Sequence, residues 1–333
     1  MSGNASSPSS SAAIGLIWFG AAVSIAEIST GTLLAPLGWQ RGLAALLLGH
    51  AVGGALFFAA AYIGALTGRS SMESVRLSFG KCGSVLFSVA NMLQLAGWTA
   101  VMIYVGATVS SALGKVLWDG ESFVWWALAN GALIVLWLVF GARRTGGLKT
   151  VSMLLMLLAV LWLSVEVFAS SGTNAAPAVS DGMTFETAVV LSTVTTTFLD
   201  TYSAGASANN ISARFAEIPV AVGVTLIGTV LAVMLPVTEY KNFLLLIGSV
   251  FAPMAAVLIA DFFVLKRREE IEGFDFAGLV LWLAGFILYR FLLSSGWESS
   301  IGLTAPVMSA VAIATVSVRL FFKKTQSLQR NPS

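Results

Sequence analysis

The sequence has few charged residues, since Asp, Glu, Lys and Arg together make up only 10% of its 333 residues. Hydrophobic residues make up 57%, and the mean hydropathy is +0.88. A water-soluble domain of this size has about 25% charged residues. The composition therefore excludes a soluble globular protein and predicts an all-α polytopic membrane protein. The net charge of +2 gives no indication of a nucleic-acid partner.

Cysteine and histidine are also nearly absent, with one residue of each, Cys82 and His50. A single cysteine excludes an intramolecular disulfide framework and a cysteine-rich metal cluster. The sequence has no metal-spaced set of His or Glu residues and no recognisable pair of nucleophile and base, so it does not predict an enzyme. His50 lies in an apolar run, where a packing role is favoured over a proton relay.

Hydrophobic runs of membrane-spanning length occur at ten places. They lie at about residues 14–37, 43–67, 84–113, 123–141, 149–169, 185–210, 217–236, 241–265, 276–294 and 301–322. Fourteen basic residues fall in segments that this map places inside, and four fall outside, namely Arg41, Lys115, Lys241 and Arg290. Because basic loops stay on the cytoplasmic side, both termini are predicted to be cytoplasmic, in an inner (plasma) membrane.

The predicted domain organisation follows from this map. Residues 1–13 are expected to form a disordered cytoplasmic tail, because they are polar and lack the positive start of a signal peptide. Residues 14–322 form a single transmembrane domain, and residues 323–333 form a cytoplasmic C-terminal tail. The surrounding bilayer is the expected partner, and no obligate protein partner is evident.

Two of the ten spans are unusually polar. The span at 185–210 includes the stretch Ser192–Asn210, which is rich in Thr, Ser and Asn and contains Asp200. The first span contains Glu27, Thr30, Gly31 and Pro36. Lipid does not solvate such groups, so they are expected to face protein or water and to mark a path for an ion or substrate. Interrupted spans of this kind bind ions in secondary transporters.

Four separated motifs resemble the nucleobase:cation symporter-1 family. The segment TGRSSMESVRLSFGKCGSVLFSVANMLQLAGW contains the family's G-x-S-S, its R-x-S-F-G-x-x-G-S and a third helix with a substrate-stacking Trp. The segments AEISTGTLL, TTTFLDTYSAG and FAPMAAVLIADFFVLKRRE are similar to the CytX branch, which comprises hydroxymethylpyrimidine transporters. The resemblance covers roughly residues 14–275.

The resemblance implies a leucine-transporter-like fold, with two inverted repeats of five helices and two further helices. Family members have twelve helices, whereas this sequence predicts about ten. The sequence up to about Glu186 resembles the approach to family helix six, and from about Val189 it resembles family helix eight. The resemblance therefore implies that family helices six and seven are missing, with a fusion near Ala188.

The resemblance also implies a sodium site between the first span and the polar span. Thr195 and Thr196 take the positions of the family's two hydroxyl ligands, and Ser192 could add a carbonyl. Carbonyl groups around Phe19 and Ala22 match the contribution of the first helix. The alternative is that these hydroxyl groups only bond the carbonyl four residues earlier, as Ser and Thr in membrane helices often do.

The substrate residues are expected on three spans. Trp98 would stack on a flat heteroaromatic ring, and the amide of Gln94, one turn earlier, could pair with a pyrimidine edge. Asp200 could bind a substrate amine or a proton, or could cap a neighbouring helix, and Glu27 has the same alternatives. Val23 of the first span is the remaining expected substrate residue. The alternative for Trp98 is an ordinary interior tryptophan.

The sequence thus predicts a secondary transporter that imports a pyrimidine or related nucleobase by symport. The expected substrate is hydroxymethylpyrimidine for thiamine synthesis, or cytosine or a purine, and the coupling ion is Na⁺ or H⁺, with no organic cofactor. The alternative is a transport-inactive remnant of such a permease, produced by the internal deletion.

Overall fold

The fold is given by a computed structural model. It describes residues 15, 30, 31, 33–118, 122–141, 183–235, 240–297 and 302–330. Within these ranges, the side chains of 116–118, 141, 183–195, 240, 241 and 324–330 are not described. The predicted fifth span, 149–169, and nearly all of the first span lie outside the described residues.

The described residues form nine α-helices. A 3₁₀ turn, Ala35–Leu37, precedes the first helix, and π-helical turns at Trp137–Gly141 and Ala260–Val264 extend the fourth and seventh. The helices are α1 (Gly38–Thr67), α2 (Ser71–Ser74), α3 (Arg76–Trp118), α4 (Phe123–Leu136), α5 (Met183–Ile211), α6 (Glu217–Met234), α7 (Tyr240–Ile259), α8 (Phe276–Ser294) and α9 (Thr304–Arg330).

Eight of the ten predicted spans are therefore helices within the described residues. Seven of them are long and apolar enough to cross a membrane. The eighth is α5, whose polar residues keep its hydropathy too low for that criterion. The ends of several helices extend beyond the predicted spans: α3 begins at Arg76 rather than at 84, and α9 continues to Arg330 rather than ending at 322.

The G-x-S-S motif forms a capping box at the start of α2. The Ser70 hydroxyl oxygen accepts from the Glu73 N–H at 3.4 Å, and Glu73 Oε2 accepts from the Ser70 N–H at 2.9 Å. Such reciprocal bonds satisfy N–H groups that a helix start would otherwise leave unpaired. Gly68, with φ of +66°, reverses the chain after α1. The motif therefore defines the connection between α1 and α3.

The R-x-S-F-G motif produces a break inside α3. Gly80 has φ of +76°, a conformation that side chains disfavour, and any Cβ there would overlap the Gly273 carbonyl oxygen. The loop before α8 satisfies the N–H groups after the break, since Lys81 N–H donates to Ile271 O at 2.8 Å. Glycine is thus needed at this position for both conformation and space.

The described residues divide into two compact units, each with its own apolar cluster. The first unit comprises the described parts of Met1–Leu43, Leu95–Gly205 and Phe215–Val237. In its core, Phe198 of α5 packs with apolar residues of α3, α4 and α6. The remaining residues of this cluster are Ala100, Ile103, Ala107, Ala127, Ile134, Leu138, Ala221 and Ala232.

The second unit comprises the described parts of Ala44–Gln94, Ala206–Arg214 and Thr238–Ser333. Helices α7, α8 and α9 pack against one another in it. Phe79 and Phe87 of α3 contribute to the apolar cluster of this unit, with ring centroids 4.5 Å apart, and Trp282 of α8 meets the edge of Phe87 at 5.1 Å. Aromatic pairs at these separations add to the stability gained from burial.

Candidate functional site

The structure describes only part of the predicted site. Phe19, Ala22, Val23 and Glu27 lie outside the described residues. Ser192 and Thr195 lie in helix α5, but their side chains are not described. The side chains that can be placed are those of Trp98, Gln94, Thr196 and Asp200. Of these, Trp98, Thr196 and Asp200 belong to the first unit, and Gln94 belongs to the second.

Thr196 has a buried hydroxyl oxygen without a partner. Its Oγ1 is inaccessible to solvent and forms no hydrogen bond in the described structure. Other threonines behave differently, because their hydroxyl groups donate to the carbonyl four residues earlier at 2.7–3.0 Å. They are Thr67, Thr99, Thr108, Thr201, Thr225, Thr229 and Thr315.

The unpaired oxygen of Thr196 bears directly on the two alternatives for this residue. A buried polar atom with no partner costs about 1–3 kcal/mol, so it needs an explanation. The ordinary explanation for a membrane threonine, a bond to the carbonyl of Ser192, does not apply here. A hard cation such as Na⁺ takes hydroxyl and carbonyl oxygens as ligands. The bond to Ser192 that the alternative predicted is therefore not formed, and the role of Thr196 as a sodium ligand stays a prediction.

Trp98 is half-buried in α3 and has contacts within the protein. The next residue, Thr99, lies over Gly228 of α6, where a Cβ would come within 2.8 Å of the Thr99 Cβ. This close approach fixes the rotation of α3 about its axis, because no larger residue fits at Gly228. The packing of α6 on α3 thus constrains the backbone position next to Trp98.

Asp200 is half-buried one turn after Thr196 and also has contacts within the protein. On the same helix, Thr197 and Thr201 are fully buried. The Thr201 hydroxyl group is shared between the carbonyl groups of Thr197, at 3.0 Å, and Phe198, at 3.1 Å. The polar residues of this part of α5 therefore turn partly toward the protein interior, as the sequence analysis expected of a polar span.

Gln94 belongs to a row of amide and hydroxyl groups in the second unit. Its Nε2 donates to Asn91 Oδ1 at 2.9 Å, and Asn91 Nδ2 donates to Ser207 Oγ at 2.7 Å. The predicted pairing of Gln94 with a substrate edge thus competes with an existing bond of its amide NH₂ group. The role of Gln94 in substrate binding remains a prediction.

Asn210 is a residue whose contacts the sequence analysis did not anticipate. Its Oδ1 accepts from Arg76 Nε at 2.6 Å, and its Nδ2 donates to Ser84 at 3.0 Å and Ser88 at 2.8 Å. Arg76 Nη2 also donates to the Asn210 carbonyl oxygen at 3.3 Å. Asn210 therefore joins the last turn of α5 to the first part of α3. The only sequence signal was the Arg of the R-x-S-F-G motif.

Asp261 lies in a buried ionic cluster with Asp275, Arg267 and Arg319. Arg319 lies 2.6 Å from Asp261 through Nε and 3.0 Å from Asp275 through Nη1. Arg267 Nη1 donates to Asp275 at 2.8 Å. The Nε contact of Arg319 is an ion pair by distance only, because it lacks hydrogen-bond geometry. Arg319, in α9, lies 58 residues from Asp261 in the sequence, so no local sequence pattern indicated this pair.

His50 lies on the exposed surface of α1 and bonds within its own helix. Its Nδ1 is 2.8 Å from the carbonyl oxygen of Leu46. The contact satisfies one ring nitrogen, but the packing role that the sequence analysis favoured is not seen, because the side chain is exposed.

Comparison with solved structures identifies the fold. The chain is similar to the structure of Mhp1, a nucleobase-cation-symport-1 family transporter, in a closed conformation with bromovinylhydantoin bound. The TM-score is 0.69 at 13% identity, over 94% of this chain and 92% of Mhp1. The inward-facing conformation of Mhp1 also matches, with a TM-score of 0.50 at 14% identity over 93% and 85% of the two chains. The predicted leucine-transporter-like, all-α fold is confirmed.

Comparison with known sequences identifies the family. No curated protein sequence matches the chain significantly. Residues 9–199, more than half of the chain, match the family described as permease for cytosine/purines, uracil, thiamine, allantoin. The match confirms the prediction of a multi-pass membrane transporter for small molecules, and it agrees with the prediction that the chain is not an enzyme. The chain belongs to this family of permeases.

Proposed function

We propose that the protein imports a pyrimidine across the inner membrane by symport with Na⁺ or H⁺. The preferred substrate is hydroxymethylpyrimidine, as in the CytX branch that the four motifs resemble, with cytosine or a purine as the other candidates. The buried, unpaired Oγ1 of Thr196 is the observation that carries the proposal. It supplies a ligand atom of the right chemistry in a helix where a secondary transporter needs one.

Each predicted site residue has a distinct part in this proposal. Na⁺ would be held by the Thr196 and Thr195 hydroxyl groups, by Ser192, and by the carbonyl groups of Phe19 and Ala22. Its binding would couple substrate uptake to the ion gradient. Trp98 orients the substrate by stacking on its ring, an interaction that tolerates changes of ring substituent. Alternating access exposes the site to one side of the membrane at a time.

Asp200, Gln94, Glu27 and Val23 complete the proposed substrate site. The carboxylate of Asp200 can hold a substrate amine or a coupling proton, and the Gln94 amide can pair with a ring edge after exchanging its bond to Asn91. If H⁺ is the coupling ion, Asp200 and Glu27 are the groups that would carry it.

The test is uptake of radiolabelled hydroxymethylpyrimidine by cells that lack their own carrier. Uptake should rise with external Na⁺ at constant pH, and it should fall to the background in Thr196→Val. Thr108→Val is the matched control, because the Thr108 hydroxyl is exposed and, among the described residues, bonds only to Tyr104 O at 2.9 Å. Uptake that follows external pH at constant Na⁺, and that is unchanged in Thr196→Val, would assign the coupling to protons.

A second pair of variants tests the substrate contact. Trp98→Ala should weaken the apparent substrate affinity by about tenfold or more, since stacking on an aromatic side chain contributes about 1–3 kcal/mol. Trp125→Ala is the control, because that side chain is 73% exposed on α4. Equal effects of the two substitutions on apparent substrate affinity would show that Trp98 does not contact the substrate.

The alternative function is a transport-inactive remnant that lacks family helices six and seven. The observation behind it is that helix α5 runs without a break from Met183 to Ile211 through the proposed fusion near Ala188, as a direct fusion of two helical segments would. In that case the chain inserts stably but takes up none of the candidate substrates under any ion gradient. Insertion of a two-helix segment between Glu186 and Val189 should then restore uptake.

A further inference from the structure

A basic cavity lies in the second unit where three membrane spans reach their ends. Its volume is about 720 Å³, and residues of α9 and of the segments flanking the loop between α7 and α8 line it. One span ends at Val264, the next begins at Phe276, and the third ends at Lys323. The cavity therefore lies at one membrane surface, at the depth of lipid head groups, and the basic residues place this surface on the cytoplasmic side.

The charges around the cavity leave a positive excess. Asp261 and Asp275 balance Arg267 and Arg319, whose contacts to these carboxylates are 2.6–3.6 Å long. Lys323 also lines the cavity, is exposed, and has no ion-pair or hydrogen-bond partner among the described residues. One cationic charge is thus available to an anion.

Arg267 can add directional bonds to that charge. Its described bonds to carboxylates use only Nη1, which donates to Asp275. The guanidinium group has five N–H donors, so donors on Nη2 and Nε remain for an oxyanion. Arg319 differs, because its nitrogens are all directed at Asp261, Asp275 and the Ser78 carbonyl. Arg319 therefore stabilises the wall of the cavity, whereas Arg267 and Lys323 have donors that can bind an anion.

The remaining wall of the cavity is apolar and open to the bilayer. Val264, Leu320 and Phe322 line it, and they are 60%, 51% and 54% exposed. A soluble anion would gain nothing from these side chains, whereas acyl chains at the membrane surface would cover them. Basic pockets between membrane helices on the cytoplasmic side are suited to anionic lipid head groups.

We infer that this cavity binds an anionic glycerophospholipid, with the lipid phosphate between Arg267 and Lys323 and the acyl chains against Val264, Leu320 and Phe322. A zwitterionic lipid binds less well, because its own cation competes with Lys323 for the phosphate. The inference does not depend on the proposed transport activity.

Native mass spectrometry of the purified full chain, titrated with phosphatidylglycerol in detergent, tests the inference. A single saturable lipid adduct is expected, and Lys323→Gln should weaken it about fivefold, the effect expected for one basic residue near an anionic lipid. Lys323→Arg should bind as the wild type does. Lys266→Gln removes the same charge from an exposed residue that does not line the cavity, and it should change binding less than about twofold.

Two further arms distinguish the lipid from a soluble anion. Inorganic phosphate and the deacylated head group, glycerophosphoglycerol, should not displace the lipid at equal concentration, and Phe322→Ala should weaken binding of the lipid alone. Displacement by either soluble anion would overturn the inference. Equal losses in Lys323→Gln and Lys266→Gln, or the absence of a saturable one-to-one adduct, would overturn it as well.

Discussion

Two parts of helix α5 carry similar polar residues but differ in how their hydrogen bonds are satisfied. Near its end, the Asn210 amide has three described side-chain partners on α3, at 2.6–3.0 Å. Near its middle, the buried hydroxyl oxygen of Thr196 has none in the described structure. Both residues lie in the polar stretch that the sequence analysis took as a single feature.

The difference separates residues that hold helices together from residues that are available to a ligand. A buried hydrogen-bond network in which every group has a partner stabilises the fold, and this stabilisation is lost when one member is removed. An unsatisfied buried oxygen costs stability until something binds to it. Substitutions at Asn210 should therefore act on folding, and substitutions at Thr196 should act on ion binding.

The largest expected effect is that of Asn210→Ala on stability. Removal of the amide leaves the Arg76 guanidinium group and the hydroxyl groups of Ser84 and Ser88 without their described partner. The cost should be about 2–4 kcal/mol, a fall of roughly 3–6 °C in the apparent melting temperature of this 333-residue chain in detergent. Ser212→Ala is the control, because its hydroxyl only accepts an exposed bond from Arg214 N–H at 3.3 Å. A change no larger than that of the control would show that the network is not structural.

A smaller loss is expected from Gly205→Ala, between the two polar parts of α5. The new Cβ would lie 3.0 Å from the Glu217 Cα and closer still to the Glu217 carbonyl oxygen, so α6 would have to shift. Overpacking of this kind costs about 1–3 kcal/mol. Gly223→Ala is the matched control, since nothing lies within 4 Å of a Cβ at that position of α6. Thermal unfolding should distinguish the two variants, and equal stability would contradict the close packing of α5 on the start of α6.

Thr196→Val should abolish the response of the melting temperature to Na⁺, whereas Thr201→Val should lower stability and keep that response. The Thr201 hydroxyl has two carbonyl partners, so its loss should cost about 1 kcal/mol of stability and leave the response to Na⁺ intact. The Thr196 hydroxyl has no partner to lose, so Thr196→Val should be at least as stable as the wild type without Na⁺, because the substitution removes an unsatisfied buried oxygen. Na⁺ should raise the melting temperature of the wild type and of Thr201→Val, but not of Thr196→Val. A Na⁺-dependent rise in all three would show that Thr196 is not a ligand.

The sequence predicted the helices well, because long apolar runs in lipid have few structural alternatives. Helix α5 was also predicted, although its polarity reduces the hydropathy signal, because the bias of basic residues toward one side of the membrane holds only if this span is counted. The position of Thr196 came from the resemblance to a known family. The lack of a partner for its hydroxyl oxygen required coordinates, since the same residue type bonds the preceding turn elsewhere in the chain.

The polar contacts between helices could not be predicted from the sequence. Arg76 and Asn210 are 134 residues apart, and Asp261 and Arg319 are 58 residues apart. No local pattern specifies such pairs, because they depend on how the helices pack. Asp261 is followed in the sequence by Lys266, Arg267 and Arg268, but its shortest ion pair is with Arg319.

The smallest expected effect concerns Glu73, a satisfied polar group near the membrane surface. The Ser70 N–H, assisted by the Ser70 hydroxyl group, Arg76 and Arg69, holds the pKa of the Glu73 carboxyl below its ordinary value, although partial burial works in the opposite direction. Since the folded-state pKa is lowered, the ionised carboxyl stabilises the protein above the ordinary glutamate value of about 4.3. This stabilisation is lost as the pH falls further, through the folded-state value.

Glu73→Gln keeps an acceptor for the Ser70 N–H but removes the charge, so it should lower stability at pH 7 by about 0.5 kcal/mol, the lower end of the range for helix caps. The difference in melting temperature between this variant and the wild type should shrink as the pH is lowered from 5 to about 3. Glu269→Gln is the control, because Glu269 is exposed and forms no bond within the described residues. A difference that stays constant over this pH range would mean that the capping box acts through its shape rather than its charge. The contrast between satisfied and unsatisfied groups would then be confined to the buried positions of α5.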